Sequence, residues 1–134
     1  MSKFYGKYRA KVVNNKDPEN MGRIQVQCPS VLGDYTSNWC VPCSPIACDF
    51  GGIISVPSVN EIVWIEFEEG ETSKPIYVGG WWIPNKTPFK ASVKEGEIVI
   101  SNSSGASITL PKSGTTIKVN GNLSVSGKVS ATNI

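Results

Sequence analysis

Apolar residues in this chain recur at every second position, and that period limits what it can fold into. The segment Glu61-Ile62-Val63-Trp64-Ile65-Glu66-Phe67-Glu68 puts Val63, Ile65 and Phe67 on one side of an extended strand. Ile62, Trp64 and Glu66 then face the other way. Tyr8, Ala10 and Val12 alternate with Arg9, Lys11 and Val13, and Ile24, Val26 and Cys28 alternate with Arg23, Gln25 and Gln27. Further strands are expected over residues 38–44 and over Pro75-Ile76-Tyr77-Val78-Gly79. Between them lie turn-rich stretches, residues 14–22 and 69–74, dense in Asn, Asp, Pro, Gly and Ser. No segment carries the 3.6-residue period of an amphipathic helix.

Five strands within residues 8–79, with an excursion between the third and fourth, suit a small closed barrel of OB type. Closure removes the strand edges that a short sheet otherwise exposes. Ile24, Val26, Val63, Ile65 and Phe67 are the expected barrel core. Hydrophobic residues make up 40% of the chain and charged residues 18%, so a packed core is feasible and disorder is not the default.

Beyond the barrel the composition changes. From Thr87 onward there is no Cys, Trp or Tyr, and Phe89 is the last aromatic. The division is therefore drawn at 1–88 and 89–134. The second part repeats an apolar-polar-apolar-polar-Gly unit, as in Ile117-Lys118-Val119-Asn120-Gly121 and Leu123-Ser124-Val125-Ser126-Gly127. Ile98-Val99-Ile100 opens the series. Short repeated strands with glycine corners mark a β-helix or β-prism. One chain has nothing to cover such a narrow apolar row, whereas three chains around one axis close it. The expected fold is all-β: a five-stranded OB-type barrel followed by a short triple-stranded β-helix formed by a homotrimer. Ile108, Leu110, Ile117, Val119, Leu123 and Val125 are expected to line the trimer axis. The competing reading of residues 89–134 is a Ser/Gly linker, against which the strict alternation argues.

Charge and chemistry narrow the function. Thirteen basic and eleven acidic residues give a net charge of +2, too balanced to announce a nucleic-acid binder. There is no histidine, which removes the commonest general base and the commonest metal ligand. Cys28, Cys40, Cys43 and Cys48 lack the two-knuckle spacing of a zinc site. Trp39-Cys40-Val41-Pro42-Cys43 matches the thioredoxin W-C-x-P-C string. That chemistry needs a helix N-terminus to lower the first thiol's pKa, and Pro45 and Gly51-Gly52 argue against a helix there. The cysteines are therefore expected to be small buried hydrophobes. No cofactor, metal or catalytic residue is expected, since nothing fixes two carboxylates at a working separation. The residues after Met1 lack a signal peptide's apolar core, which implies that the protein stays in the cytoplasm or leaves by another route.

Four stretches carry a family resemblance. Tyr8-Arg9-Ala10-Lys11-Val12 leads through Asp17-Pro18 to Gly22-Arg23-Ile24-Gln25-Val26. Ser37-Asn38-Trp39-Cys40-Val41 follows, then residues 57–71, and Pro75-Ile76-Tyr77-Val78-Gly79 closes the set. In order and spacing these resemble the OB domain of the phage baseplate assembly protein V and central spike family, which is related to the valine-glycine repeat spike proteins of type VI secretion. The tail is similar to the start of that family's β-helix.

The resemblance implies a homotrimeric structural spike in the virion tail baseplate, assembled in the host cytoplasm. It implies docking on baseplate hub and tail-tube proteins and transient contact with the target cell envelope. The sequence departs from the family pattern in a short tail, no inserted lysozyme domain, no iron-binding histidine pair and no tapered apolar tip. Those departures leave three readings open: a separate tip protein caps the trimer, the chain continues past residue 134, or the target lacks an outer membrane. The chief alternative is an OB-fold nucleic-acid-binding module using Arg9, Lys11 and Arg23 with Trp39, Trp64, Trp81 and Trp82. Glu61, Glu66, Glu68, Glu69 and Glu71 oppose it by repelling phosphate. The pair Trp81-Trp82 is expected at the domain junction, one ring capping the barrel and the other meeting a neighbouring chain.

Overall fold

The computed structural model describes residues 2–87 and 94–133. The chain forms two compact units, Met1–Trp82 and Ile83–Ile134. The division drawn at residues 88 and 89 lies outside the described residues.

The first unit is a curled mixed sheet. Its strands are β1 (Tyr8–Asn14), β2 (Gln25–Gln27), β3 (Val41–Pro42), β6 (Ile62–Phe67) and β7 (Pro75–Tyr77), in spatial order β2-β1-β6-β7-β3. β1 pairs antiparallel with β2 and β6, β6 pairs antiparallel with β7, and β3 runs parallel to β7. The ends of the ribbon are joined at Ile24 and Cys40. Ile24 N–H donates to the Cys40 carbonyl at 3.2 Å and Cys40 N–H to the Ile24 carbonyl at 2.6 Å. Ser37, buried beside this seam, accepts from Val26 N–H at 2.9 Å through Oγ and donates its own N–H to the Val26 carbonyl. Curling follows from strand twist, and the β1–β2 register adds to it. Val12 opposes Val26 but Asn14 opposes Gln25, so one extra residue bends β1.

Alternation sets the inside of the curl. Val12, Ile24, Val26, Cys28, Cys40 and Ile65 are fully buried, with Ala10, Val63, Phe67 and Tyr77 nearly so. Each aliphatic side chain moved from water to that core contributes roughly 1.5–3 kcal/mol. On β6 the sequence Ile62-Val63-Trp64-Ile65-Glu66-Phe67 alternates half-buried and buried without exception.

Two local features differ from the expected strands. The third strand is two residues long rather than spanning 38–44. Cys43 N–H still donates to the Tyr77 carbonyl at 2.9 Å, and Pro45, which has no N–H, cannot extend the ladder beyond it. A four-residue helical turn, α1 (Pro29–Leu32), follows β2 with proline in its first turn. It is too short to show a helical period in sequence. The excursion between β3 and β6 holds a two-stranded hairpin, β4 (Ala47–Cys48) and β5 (Gly51–Gly52).

The loop from β1 to β2 is organised by one carboxylate. Asp17 accepts the backbone N–H groups of Glu19, Met21 and Arg23 at 3.0, 2.9 and 3.1 Å. It also takes Arg23 Nε at 3.0 Å and Nη2 at 2.8 Å in a forked ion pair. Its side chain is 4% exposed. The Arg23 guanidinium, then the three backbone donors, hold this carboxyl well below the usual carboxylate range against the opposing effect of burial. Arg23 also meets Glu19 at 2.8 Å and lies 5.5 Å from the Trp39 ring. Gly22, at φ 73°, lets the backbone turn into Arg23, and its carbonyl accepts the Tyr77 hydroxyl at 2.5 Å.

The second unit is a three-stranded antiparallel sheet within one chain, β8 (Ile98–Ser101), β9 (Ser107–Leu110) and β10 (Lys118–Asn120), in spatial order β10-β9-β8. Residues 121–133 contain no strand.

A carboxylate whose pKa is lower folded than unfolded adds stability that is complete above the unfolded value, about 4. That stability disappears as pH falls through the folded value. We expect denaturant unfolding of Asp17→Asn to show a clear loss of stability at pH 7 that shrinks as the pH is taken below 4. A deficit of constant size from pH 7 to pH 3 is the contrary outcome.

Candidate assembly surfaces

The residues expected on a trimer axis lie in the second unit. Ile108 and Leu110 are on β9 and Val119 is on β10. Ile98 pairs with Leu110, Ile100 with Ile108, and Val119 with Ile108. Cross-strand partners share a face. Ile98, Ile100, Ile108, Leu110 and Val119 therefore form one apolar surface. Ile117, Leu123 and Val125 fall outside the strands. All six expected axis residues are exposed, from 37% at Leu110 to 73% at Leu123. The opposite face carries Val99, Ser107, Thr109 and Lys118 by the same register. Thr109 and Lys118 line a recess of about 280 Å³ with Lys94, Lys112 and Thr116. One polar and one apolar face is the pattern of a half-buried sheet, and here the apolar side lies open within the chain. Ile98 and Ile100 were not counted in the expected row, although their alternation signalled it.

Ile24, Val26, Val63, Ile65 and Phe67 all sit inside the first unit's curl. On the outside of the sheet, Arg9 of β1 opposes Trp64 of β6. Trp81 folds back so that its ring centre is 4.4 Å from that of Trp64, with the planes 38° apart. The Arg9 guanidinium lies 5.5 Å from one ring and 5.3 Å from the other. Such stacking contributes about 0.5–1.5 kcal/mol beyond area, and an exposed cation over a ring about 0.5–1 kcal/mol more. Trp81 thus covers the outer face of the sheet, while Trp82 is 63% exposed.

These contacts bear on the nucleic-acid alternative. Arg23 is engaged by Asp17 and Glu19, and Arg9 is engaged by two rings. Glu66 pairs with Lys7, Glu68 with Lys74 and Glu71 with Lys3. About half of the charged side chains on this unit are therefore in ion pairs within it.

The cysteines divide two and two. Cys28 and Cys40 are buried, whereas Cys43 and Cys48 are exposed, which corrects the expectation that all four pack inside. Pro45 ends the ladder early and leaves the later pair in the excursion. Burial pushes the Cys40 thiol up to about 11, partly offset by the Ser37 hydroxyl. Burial raises Cys28 as well. Cys40 lies in the barrel seam and not at a helix N-terminus, so its thiol is shifted away from the reactive thiolate that the W-C-x-P-C string suggests. Among the described residues, no three His, Cys, Asp or Glu side chains are grouped to hold a metal.

The excursion itself is the surface that sequence reasoning missed. Residues 45–56 carry a single charge, Asp49. Phe50 stands fully exposed at the hairpin tip with φ 61°. Ile46, Ile53 and Ile54 are each more than half exposed, and Val56 is 41% exposed. The neck is fastened by Ser44, whose Oγ lies 2.8 Å from the Ile46 carbonyl and 2.5 Å from that of Ile53. Ile53 N–H also donates to the Ile46 carbonyl at 3.1 Å. The signal was a long apolar stretch almost without charge or strand period.

A family model for the type VI secretion system/phage-baseplate injector OB domain matches residues 8–82. No curated protein matches the chain.

Thiol chemistry tests the burial assignments. Cys28 and Cys40 are expected to resist dithiobis-nitrobenzoate in the native protein at pH 8 and to react on unfolding. More than two fast thiols under native conditions contradicts this placement.

Proposed function

The chain belongs to the type VI secretion system/phage-baseplate injector OB-domain family, and on that premise we propose that it is the central spike at the hub tip of a contractile phage tail or related injection system. The family makes it a structural baseplate component of the tail that associates with other baseplate and tail proteins. The finer reading is a homotrimer. Residues 1–88 form the OB domain that docks on hub and tail-tube proteins, and residues 89–134 form a triple-stranded β-helix that helps to puncture the target envelope. The protein performs no catalysis.

The observation that carries this reading is the open apolar face of β8–β10. Ile98, Ile100, Ile108, Leu110 and Val119 form a surface that the same chain leaves exposed. In water that area favours association. Three copies arranged about one axis would turn Ile108, Leu110, Ile117, Val119, Leu123 and Val125 inward together. Interlocked chains also suit a part that is loaded by force, because forced unfolding is governed by the unfolding rate.

Light scattering after size exclusion should give the mass of three chains, stable on dilution. Val119→Asp should convert this to one chain, because three carboxylates would meet at the axis in low dielectric. Unfolding of the first unit should be unchanged. A Val119→Asp protein that stays trimeric at neutral pH shows that the axis is elsewhere, and a monomeric parent protein removes the spike reading.

A further inference from the structure

The hairpin between β3 and β6 has the chemistry of a buried element and the exposure of a surface one. Ile46, Phe50, Ile53, Ile54 and Val56 together expose roughly 440–600 Å² of apolar area, from about 200 Å² for a phenyl ring and 60–100 Å² for each aliphatic group. The largest patch on a typical monomer is about 300–600 Å². This hairpin alone falls in the upper part of that range.

It is also held in shape before anything covers it. The Ser44 hydroxyl and the Ile53-to-Ile46 bond close its neck. Ile54 lies over Gly22, where a Cβ would come within 2.5 Å of its Cδ1. The hairpin foot thus rests on the loop that Asp17 organises. A pre-shaped element loses little conformational freedom on docking.

We propose that this hairpin is an inter-subunit clasp, seated on the first unit of a second copy of the chain. The proposal rests on the trimer reading above and adds a second contact to it. Area decides the occupant. The hairpin and the surface it covers bury at most roughly 900–1,200 Å² together, about the threshold for a specific interface. A contact of that size between separate proteins is weak. Between copies already joined through β8–β10 it is effectively intramolecular. Trp82 and Ile98 are sixteen positions apart, so at most about 55 Å of chain joins the first unit to the trimer contact. Effective concentrations at such spans reach the millimolar range.

The hairpin carries its own reporter. Cys48 lies on β4 and is exposed in one chain, as is Cys43 near the neck. With Cys43→Ser in place, Cys48 is the accessible thiol among the described cysteines. Its reaction with a small maleimide should be at least tenfold slower in the trimer than in the Val119→Asp background. Equal rates overturn the clasp while leaving the trimer mass intact. Phe50→Asp is the second arm, at a fully exposed site whose positive φ suits Asp. It should raise the concentration at which the trimer dissociates at least tenfold, with the first unit still folded. An unchanged dissociation curve overturns the proposal. If Val119→Asp remains trimeric, the axis assignment falls instead. The Phe50→Asp mass then decides the clasp alone, smaller supporting it and unchanged refuting it.

Discussion

A single carboxylate sets the frame of the first unit. Asp17 gathers three backbone N–H groups and a forked guanidinium, which fixes a loop of nine residues that would otherwise be free to take many paths. Its partner Arg23 lies over Trp39 on the segment that closes the barrel. The next residue, Ile24, makes the closing bridge with Cys40. Gly22, just before, accepts the Tyr77 hydroxyl. Loop, seam and β7 are therefore positioned by contacts that begin within seven residues of Asp17. This gives a physical reason for the Asp-Pro and Gly-Arg elements of the sequence: the acid needs donors, and the turn needs the glycine.

Legibility followed the strength of the local signal. β1 and β6 could be read because every second side chain forms an unbroken apolar row, while the opposite row is mixed, with Arg9, Lys11 and Glu66 beside Val13, Ile62 and Trp64. The buried set of the barrel followed from the same alternation. β3 was read too long, because the apolar pattern continues through residues whose backbone cannot pair. α1 left no trace, since four residues complete barely one turn. The hairpin was passed over because a stretch with neither charge nor period reads as filler. The tail alternation did identify apolar residues that lie open. It could not say which of them form strands, and Leu123 and Val125 do not. The role of Asp17 was invisible, because a lone acid in a turn commonly bonds only to its nearest amides.

The two units use apolar surface in opposite ways. The first buries its alternating residues by curling, and about half of its charges are paired at home. The second has too few strands to curl and leaves its apolar face outward. An apolar face left outward in water favours association. The same logic reaches the Phe50 hairpin, whose apolar side chains stay outside the first unit's core.

The stack of Trp81 on Trp64 has a mechanical meaning. Residues after Trp82 leave the first unit from a point fastened to β6, the middle strand of the sheet. Trp64 N–H donates to the Gly79 carbonyl and Val78 N–H to the Trp64 carbonyl, while Arg9 lies opposite on β1. The residues that lead out of the first unit are thus held by a ring stack on a central strand as well as by the backbone bonds that continue the β6–β7 ladder. Detaching them means breaking two contacts of different kinds, one apolar and one hydrogen-bonded.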